Sequence, residues 1–253
     1  MFTKAILRKP CMNMINGLRS DDLAVPNYDL ALQQHAKYNE ALQECGLDTI
    51  VLKPDEDYPD SVFIEDVALL TPECAIITRP GAESRRGETR NMNHLLGKYY
   101  DKIYTIEEPG TIEAGDIMMV EKHFYIGLSE RSNLQGAGQL ISFLNSHGMT
   151  GSTIKLEKVL HLKTGLSYLE NNKLLAAGEF LRKDHFRNFD IIKINDNESY
   201  AANCIWVNGT VIIPRGYPAV REKIKSAGYE TIMLDMSEFR KLDGGLSCLS
   251  LRF

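Results

Sequence analysis

Residues 61–78 read SVFIEDVALLTPECAIIT, two apolar runs separated only by Thr71 to Glu73. So short a connection cannot hold a crossover helix, so the two runs must pair as an antiparallel hairpin. The stretch before them is helical in pattern. Tyr28, Ala31, His35, Tyr38, Leu42 and Cys45 recur every three or four residues, and Gly46 ends the run. Strand-forming Thr49 to Leu52 follows, which gives a unit of helix, strand and hairpin.

The same order returns along the chain. Asn91 to Tyr100 predicts a second helix, Lys102 to Ile106 a strand, and GDIMMV and HFYIG a hairpin joined by Glu121 and Lys122. Asn133 is placed to cap a third helix carrying Leu134, Ala137, Ile141 and Leu144 and stopped by Gly148. Strand Ser152 to Leu156 and the hairpin LSYLENNKLLAA complete that unit. A fourth has a poor helix near Asp184 to Arg187, a strand at Asp190 to Ile194 and the hairpin NCIWVNGTVII, whose Asn208-Gly209 is a strong two-residue turn signal. In the fifth, Pro218 opens a helix closed at Gly228, Glu230 to Leu234 forms a strand, and LSCLSL supplies only half a hairpin. Its partner is expected at Lys4 to Leu7, at the other end of the chain.

Five units of about 50 residues, with the last hairpin completed by the two termini, predict a closed ring. The fold class is thus α/β, a five-fold pseudosymmetric propeller. The alternative, a doubly wound parallel sheet, is the commoner outcome for alternating helices and strands, but the short turn at 71–73 opposes it. With no Pro/Gly/Ser-rich linker or composition shift, residues 1–253 are expected to form a single catalytic domain.

Composition narrows the function. The chain is 43% hydrophobic and 25% charged, ordinary for a globular protein, with a net charge of −5 and no Lys/Arg-rich run. No nucleic-acid partner is expected, because phosphate neutralisation supplies most of such affinity. No apolar run reaches the length of a signal peptide core or a membrane span, so a cytoplasmic protein without membrane contact is expected. The five cysteines, 11, 45, 74, 204 and 248, lack CxxC spacing, so reduced thiols are expected rather than a disulfide framework or a structural zinc site.

Some residues stand out for chemistry. Cys248 follows two glycines in GGLSC, which permit a sharp turn and close approach of a ligand, although a cysteine in an apolar strand is more often a small buried hydrophobe. His161 lies between the third unit's strand and hairpin, where a structural hydrogen bond is the ordinary role. Register raises both: Glu113 holds the corresponding place in the second unit, and equivalent positions in a five-fold ring face the axis. Asp60, Glu65, Asp66, Glu113 and Asp116 are singly unremarkable, yet clustered at an axis they suit a guanidinium, whose fork of N–H donors matches carboxylate oxygens. Arg85 and Arg131 stand ready for a carboxylate, so a zwitterion with a cationic tail fits the set.

The segments DSVFIED, CAIITRPGAESRRGET, EAGDIMMV, HFYIG, LEKVLHLKTGLSYLE, LLAAGEF, ESYAANCIWVN and DGGLSCLSLRF, spread over essentially the whole chain, resemble the bacterial dimethylarginine dimethylaminohydrolases of the pentein superfamily. That resemblance implies an α/β propeller of five ββαβ units and hydrolysis of Nω-methylated arginines to citrulline and methylamine or dimethylamine. It implies Cys248 as nucleophile, His161 as general acid/base, and Asp66 and Glu113 on the guanidinium. It gives Arg85 and Arg131 the α-carboxylate, and Asp60, Glu65 and the main-chain carbonyls of Leu18 and Leu242 the remaining contacts. A methylated arginine as small-molecule substrate, no metal or organic cofactor, and a homodimer are also implied. Animal relatives carry a second cysteine beside the nucleophile, whereas Ser247 and Leu249 flank Cys248 here. An arginine deiminase or amidinotransferase would use the same residue types, and a catalytically silent binder of arginine derivatives would keep the pocket. The expected lid is Met14 to Asp22, hinged at Gly17.

Overall fold

The computed structural model describes residues 1–19 and 23–253. The proposed lid therefore lies partly outside the described residues; within them Met12–Asn16 form a 3-10 turn.

Five three-stranded sheets share one topology. The first joins β1 (Lys4–Arg8), β2 (Asp48–Leu52) and the C-terminal β15 (Leu251–Arg252). β1 is its middle strand, antiparallel to β15 through Ala5↔Arg252 and Ile6↔Leu251, and parallel to β2. β3 (Ala68–Leu70), β4 (Ala75–Ile77) and β5 (Ile103–Thr105) repeat the arrangement, as do β6 (Ile117–Val120), β7 (His123–Leu128) and β8 (Thr150–Lys155). β9 (Leu166–Tyr168), β10 (Lys173–Ala176) and β11 (Asp190–Lys193) form the fourth, and β12 (Ile205–Val207), β13 (Thr210–Pro214) and β14 (Glu230–Leu234) the fifth. Every middle strand is antiparallel to its hairpin partner and parallel to the strand after the crossover. β15 meets β3, β6 meets β9, and β9 meets β12, so the hairpin-first strands are the inner ones. The termini close the ring, as the half hairpin requires.

The crossovers follow local rules. Helix α1 (Tyr28–Glu44) starts where the Asn27 side chain accepts from the Leu30 amide at 2.9 Å, and it stops at Gly46, whose φ of 87° suits a residue without a Cβ. Helix α2 (Met92–Leu96) is shorter than its pattern suggested because Gly97 ends it. Helix α3 (Leu134–Asn145) is capped by Asn133. The fourth unit has no α-helix in its crossover, only 3-10 turns at Gly178–Arg182 and Asp184–Phe186.

Three expected strands start later than their apolar runs. Ile64–Val67, Ala114–Asp116 and Ser247–Leu249 are 3-10 turns that lead into β3, β6 and β15. Asp60 through Ala68 are all buried, so the run carries no two-residue alternation that would separate strand from turn.

The core is continuous from blade to blade. Tyr38 of α1 is fully buried, and its hydroxyl donates to the Leu246 carbonyl at 2.9 Å and lies 2.7 Å from Ser250 Oγ, tying the first helix to the final segment. His35, on the same face, is buried, and its Nε2 meets no partner among the described residues. Burial, assisted by Lys9, pushes the His35 imidazole down to about 4 from its ordinary 6.5. The unfolded chain then takes up a proton below about pH 6.5 that the folded chain refuses until about pH 4, so stability falls as pH drops through that window, by about 3 kcal/mol at most. Urea unfolding of His35→Gln should show a flatter pH dependence between pH 6.5 and 4 than the parent; parallel curves would show that His35 is not the cause.

Candidate active site

One short helical turn precedes the inner strand of each sheet. They are Ile64–Val67, Ala114–Asp116, α4 (Leu162–Gly165), Asp196–Ala202 and Ser247–Leu249. The last packs on the first, the first on the second, the second on α4, and α4 on the fourth. Equivalent backbone positions therefore converge at the axis, and their side chains build the site.

One cavity is lined by Leu18, Asp60, Asp66, Arg85, Glu113, Arg131, His161, Leu242 and Cys248, with Phe63, Leu160, Asp243 and Gly244 beside them. Nine of the eleven residues singled out from the sequence thus meet in one place, and Asp116 lies just behind it, holding the Leu162 amide. Glu65 does not: it faces a separate cavity, where its Oε1 pairs with Lys163 Nζ at 2.5 Å and lies 3.8 Å from Arg252 Nη2. The chain direction explains the difference, since Glu65 and Asp66 are neighbours in a tight turn and leave it on opposite sides.

His161 Nε2 sits 2.8 Å from Glu113 Oε2, and Glu113 is fully buried. The other Glu113 oxygen accepts from the Ala82 amide at 3.1 Å and lies 3.6 Å from Arg131 Nη1. Asp116 holds the His161 segment from below, accepting from the Leu162 amide at 2.9 Å and the Ser129 hydroxyl at 2.6 Å. Burial opposes a charged imidazole here, yet the Asp116 charge, the Glu113 hydrogen bond and the Asp66 charge carry His161 up to about 9. The site rests with an imidazolium.

Asp66 is fixed by the Gly115 amide on Oδ1 at 2.9 Å and Arg85 Nη1 on Oδ2 at 2.6 Å. A Cβ on Gly115 would stand 3.0 Å from both Asp66 Oδ1 and His161 Nδ1, so a larger residue there would press on both groups. Burial works against the Asp66 charge, but Arg85 and then His161 hold its carboxyl below the ordinary range. Arg85 is committed further: Nε and Nη2 grip Glu88 at 3.0 and 2.9 Å, and Nη2 reaches the Phe63 carbonyl at 2.9 Å. Any substrate carboxylate must share this guanidinium with two buried side chains, whereas Arg131 is the more open cation.

Cys248 lies on the final turn. The Gly245 amide donates to Cys248 Sγ at 3.4 Å, and Asn203 Oδ1 accepts from the Ser247 amide at 2.9 Å. A Cβ on Gly245 would fall inside the Asn203 side chain, which accounts for the second glycine of GGLSC. Burial, then the charges of Glu65 and Asp66, push the thiol up to about 12. Leu18 offers its amide to Asp60 Oδ1 at 2.9 Å, and Leu242 closes the cavity wall.

Asp66, Glu113 and His161 present ligand atoms within 4.8 Å of one another, a spacing that a metal ion accepts. These atoms are already engaged with one another, with Arg85 and with the Gly115 amide. Sequence reasoning counted Asp116 among the axial carboxylates for a cation, not as the support of His161, and missed Glu88 and Asn203. Arg85 and Glu88 stand at the i, i+3 spacing of a helical ion pair, a usable signal; Asn203 reaches Ser247 across the ring and left none.

A partly buried thiol, an imidazole held by a carboxylate, and further carboxylates meet at the axis of five ββαβ units, a five-fold α/β propeller carrying the residue set of a thiol hydrolase. The family described as N,N dimethylarginine dimethylhydrolase, eukaryotic, matches residues 18–249. The N(G),N(G)-dimethylarginine dimethylaminohydrolase of Pseudomonas aeruginosa is 58% identical over the full length of both chains. A cysteine-to-serine variant of the P. aeruginosa enzyme complexed with citrulline superposes with a TM-score of 0.99, at 58% identity and full coverage of both chains. A histidine-to-glycine dimethylarginine dimethylaminohydrolase, as its adduct with S-methyl-L-thiocitrulline, matches equally, with TM-score 0.99, 58% identity and full coverage of both chains. The chain belongs to the dimethylarginine dimethylaminohydrolase family.

Asp116→Asn tests the electrostatics directly. The imidazole titration of His161, followed by NMR, should fall from about 9 toward 6.5, since the strongest charge supporting the imidazolium is gone. An unmoved midpoint would rule Asp116 out as its support.

Proposed function

We propose that this protein hydrolyses Nω-methylated arginines to citrulline and methylamine or dimethylamine through a covalent intermediate on Cys248. The observation that carries this reading is the meeting of the Cys248 thiol, the His161–Glu113 couple and Asp66 in one cavity. Citrulline in the matched cysteine-to-serine structure supports the same product.

In the resting site the thiol is protonated and the imidazole charged. A guanidinium entering between Asp66 and Glu113 offsets their negative charge and brings its own positive charge to the sulfur, which favours the thiolate. The Gly245 amide stabilises the anion further. The thiolate attacks the guanidinium carbon, and a C–S bond forms. His161 gives its proton to the methylated nitrogen as the C–N bond breaks and the amine departs, which leaves a thiouronium on Cys248. His161, now neutral, takes a proton from water, whose oxygen adds to the same carbon. Collapse expels the sulfur and leaves the urea group of citrulline. Asp66 and Glu113 hold the plane of the cation throughout, and Glu113 orients the imidazole. Asp60, with the Leu18 and Leu242 carbonyls, is the candidate seat for the α-amino group, and Arg131, with Arg85 behind it, for the α-carboxylate. The protein is expected to act in the cytoplasm, where its five free thiols stay reduced, as one catalytic domain and as a homodimer.

Product analysis with asymmetric dimethylarginine, monomethylarginine and arginine tests the reading. Citrulline with the matching methylated amine is expected, and citrulline with ammonia from arginine alone would make it an arginine deiminase instead. Cys248→Ser should bind substrate and lose at least about a thousandfold in kcat, the scale seen when an acting nucleophile is removed; turnover like the parent's would refute the assignment. Because the substrate lowers the thiol's titration, the acid limb of kcat should lie below the pH at which free Cys248 becomes open to alkylation. Coincident limbs would show that the substrate contributes nothing to activation.

A further inference from the structure

Four of the five turns around the axis bring a side chain to the catalytic cavity: Asp66, Glu113, His161 and Cys248 lie on or beside them. The fourth, Asp196–Ala202, brings none among the described residues. Its side chains reach the nucleophile's own segment instead. The Tyr200 hydroxyl donates to the Gly244 carbonyl at 2.9 Å, and Asn203 Oδ1, just past the turn, accepts from the Ser247 amide at 2.9 Å.

Each of these bonds holds one edge of a peptide plane whose other edge is also held. The Gly244 carbonyl and the Gly245 N–H belong to one peptide, and that N–H donates to Cys248 Sγ at 3.4 Å. Tyr200 and the sulfur therefore grip the same plane from its two edges. The Leu246 carbonyl and the Ser247 N–H belong to the peptide that leads into Cys248; Tyr38 of α1 donates to the first at 2.9 Å, and Asn203 accepts from the second. Between them the Cys248 amide donates back to the Gly245 carbonyl at 3.3 Å.

Both holders are themselves fixed. The Tyr200 ring lies under the Arg240 guanidinium, 4.8 Å from its centroid. Asn203 is 8% exposed, and its amide lies so close over Gly245 that a Cβ there would fall within it. Ser167 Oγ stands 2.7 Å from the Ala202 carbonyl and 2.8 Å from the Cys204 carbonyl, on either side of Asn203.

We propose that Tyr200 and Asn203 are positioning residues for Cys248. Tyr200 turns the Gly244–Gly245 peptide so that its N–H meets the sulfur, and Asn203, with Tyr38, locks the peptide from which the nucleophile projects. The N–H so aimed stabilises the sulfur anion as it attacks and again as it is expelled. Neither side chain lines the catalytic cavity, so both act through the Gly244–Cys248 segment. The inference rests on the reading of Cys248 as nucleophile.

The test is alkylation of the unliganded protein by iodoacetamide at one fixed pH, with the Cys248 peptide quantified by mass spectrometry, beside kcat and KM for asymmetric dimethylarginine. Y200F removes one oxygen and keeps the ring, so Cys248 should alkylate about tenfold more slowly, the loss of one hydrogen bond to a charged atom. Its kcat should fall by a similar factor while KM stays close to the parent's, since Asp66, Glu113 and Arg131 are untouched. N203L keeps the bulk and loses the acceptor, and it should change in the same direction. N203D keeps an oxygen for the Ser247 amide and should retain more of both rates than N203L. A merely structural role would loosen the segment, expose the thiol and speed alkylation, or raise KM in step with the loss of kcat. Either result, parent-like rates in Y200F, or equal losses in N203L and N203D would overturn the proposal. Should N203L fail to fold, Y200F decides alone. Alkylation needs no substrate, so slower alkylation in a protein that turns over no methylated arginine supports this role and sinks the proposed function.

Discussion

A partly buried thiol ringed by carboxylates resists ionisation, and the rest of the site depends on that constraint. Desolvation and the charges of Glu65 and Asp66 hold Cys248 protonated, while the same kind of charge, from Asp116, Glu113 and Asp66, holds His161 as imidazolium. One event reverses both biases. A flat cation offsets the carboxylates, so the thiol ionises more readily and the imidazolium becomes a stronger acid toward the leaving amine. On the proposed mechanism, substrate charge and enzyme charge are thus complementary in the transition state.

The ring makes the constraint geometrically possible. Each catalytic group sits on a short turn before an inner strand, and the turns touch in sequence around the axis. A buried carboxylate such as Glu113 would be costly alone, but the Ala82 amide, His161 and Arg131 surround it. Arg85 does the same for Asp66 and Glu88. Closure of the first sheet by β15 places Cys248, the sixth residue from the end of the chain, opposite groups that lead into the second, third and fourth sheets.

Much of this was legible in the residues because the repeat has strong local signals. The Thr71–Glu73 connection, the Asn133 cap, the Asn208-Gly209 turn and the Pro218 helix start all lie where local chemistry puts them. What was hidden is what periodicity does not encode. The fully buried run at 60–68 shows no alternation, so its 3-10 turn was read as strand, and with it the placement of the Glu65 side chain in a second cavity was missed. The convergence of Cys248, His161 and Glu113 could be argued from register, whereas the Asn203 contact to Ser247 and the Glu65–Lys163 ion pair are long-range and depend on ring closure.

The most direct measurement is rapid quenching of the unaltered protein mixed with asymmetric dimethylarginine, followed by mass spectrometry of the intact chain and its peptides. The account predicts an adduct confined to the Cys248 peptide, with the mass of the substrate less dimethylamine, forming faster than citrulline appears. Citrulline released with no such adduct, or an adduct on Cys11, Cys45, Cys74 or Cys204 instead, would contradict it.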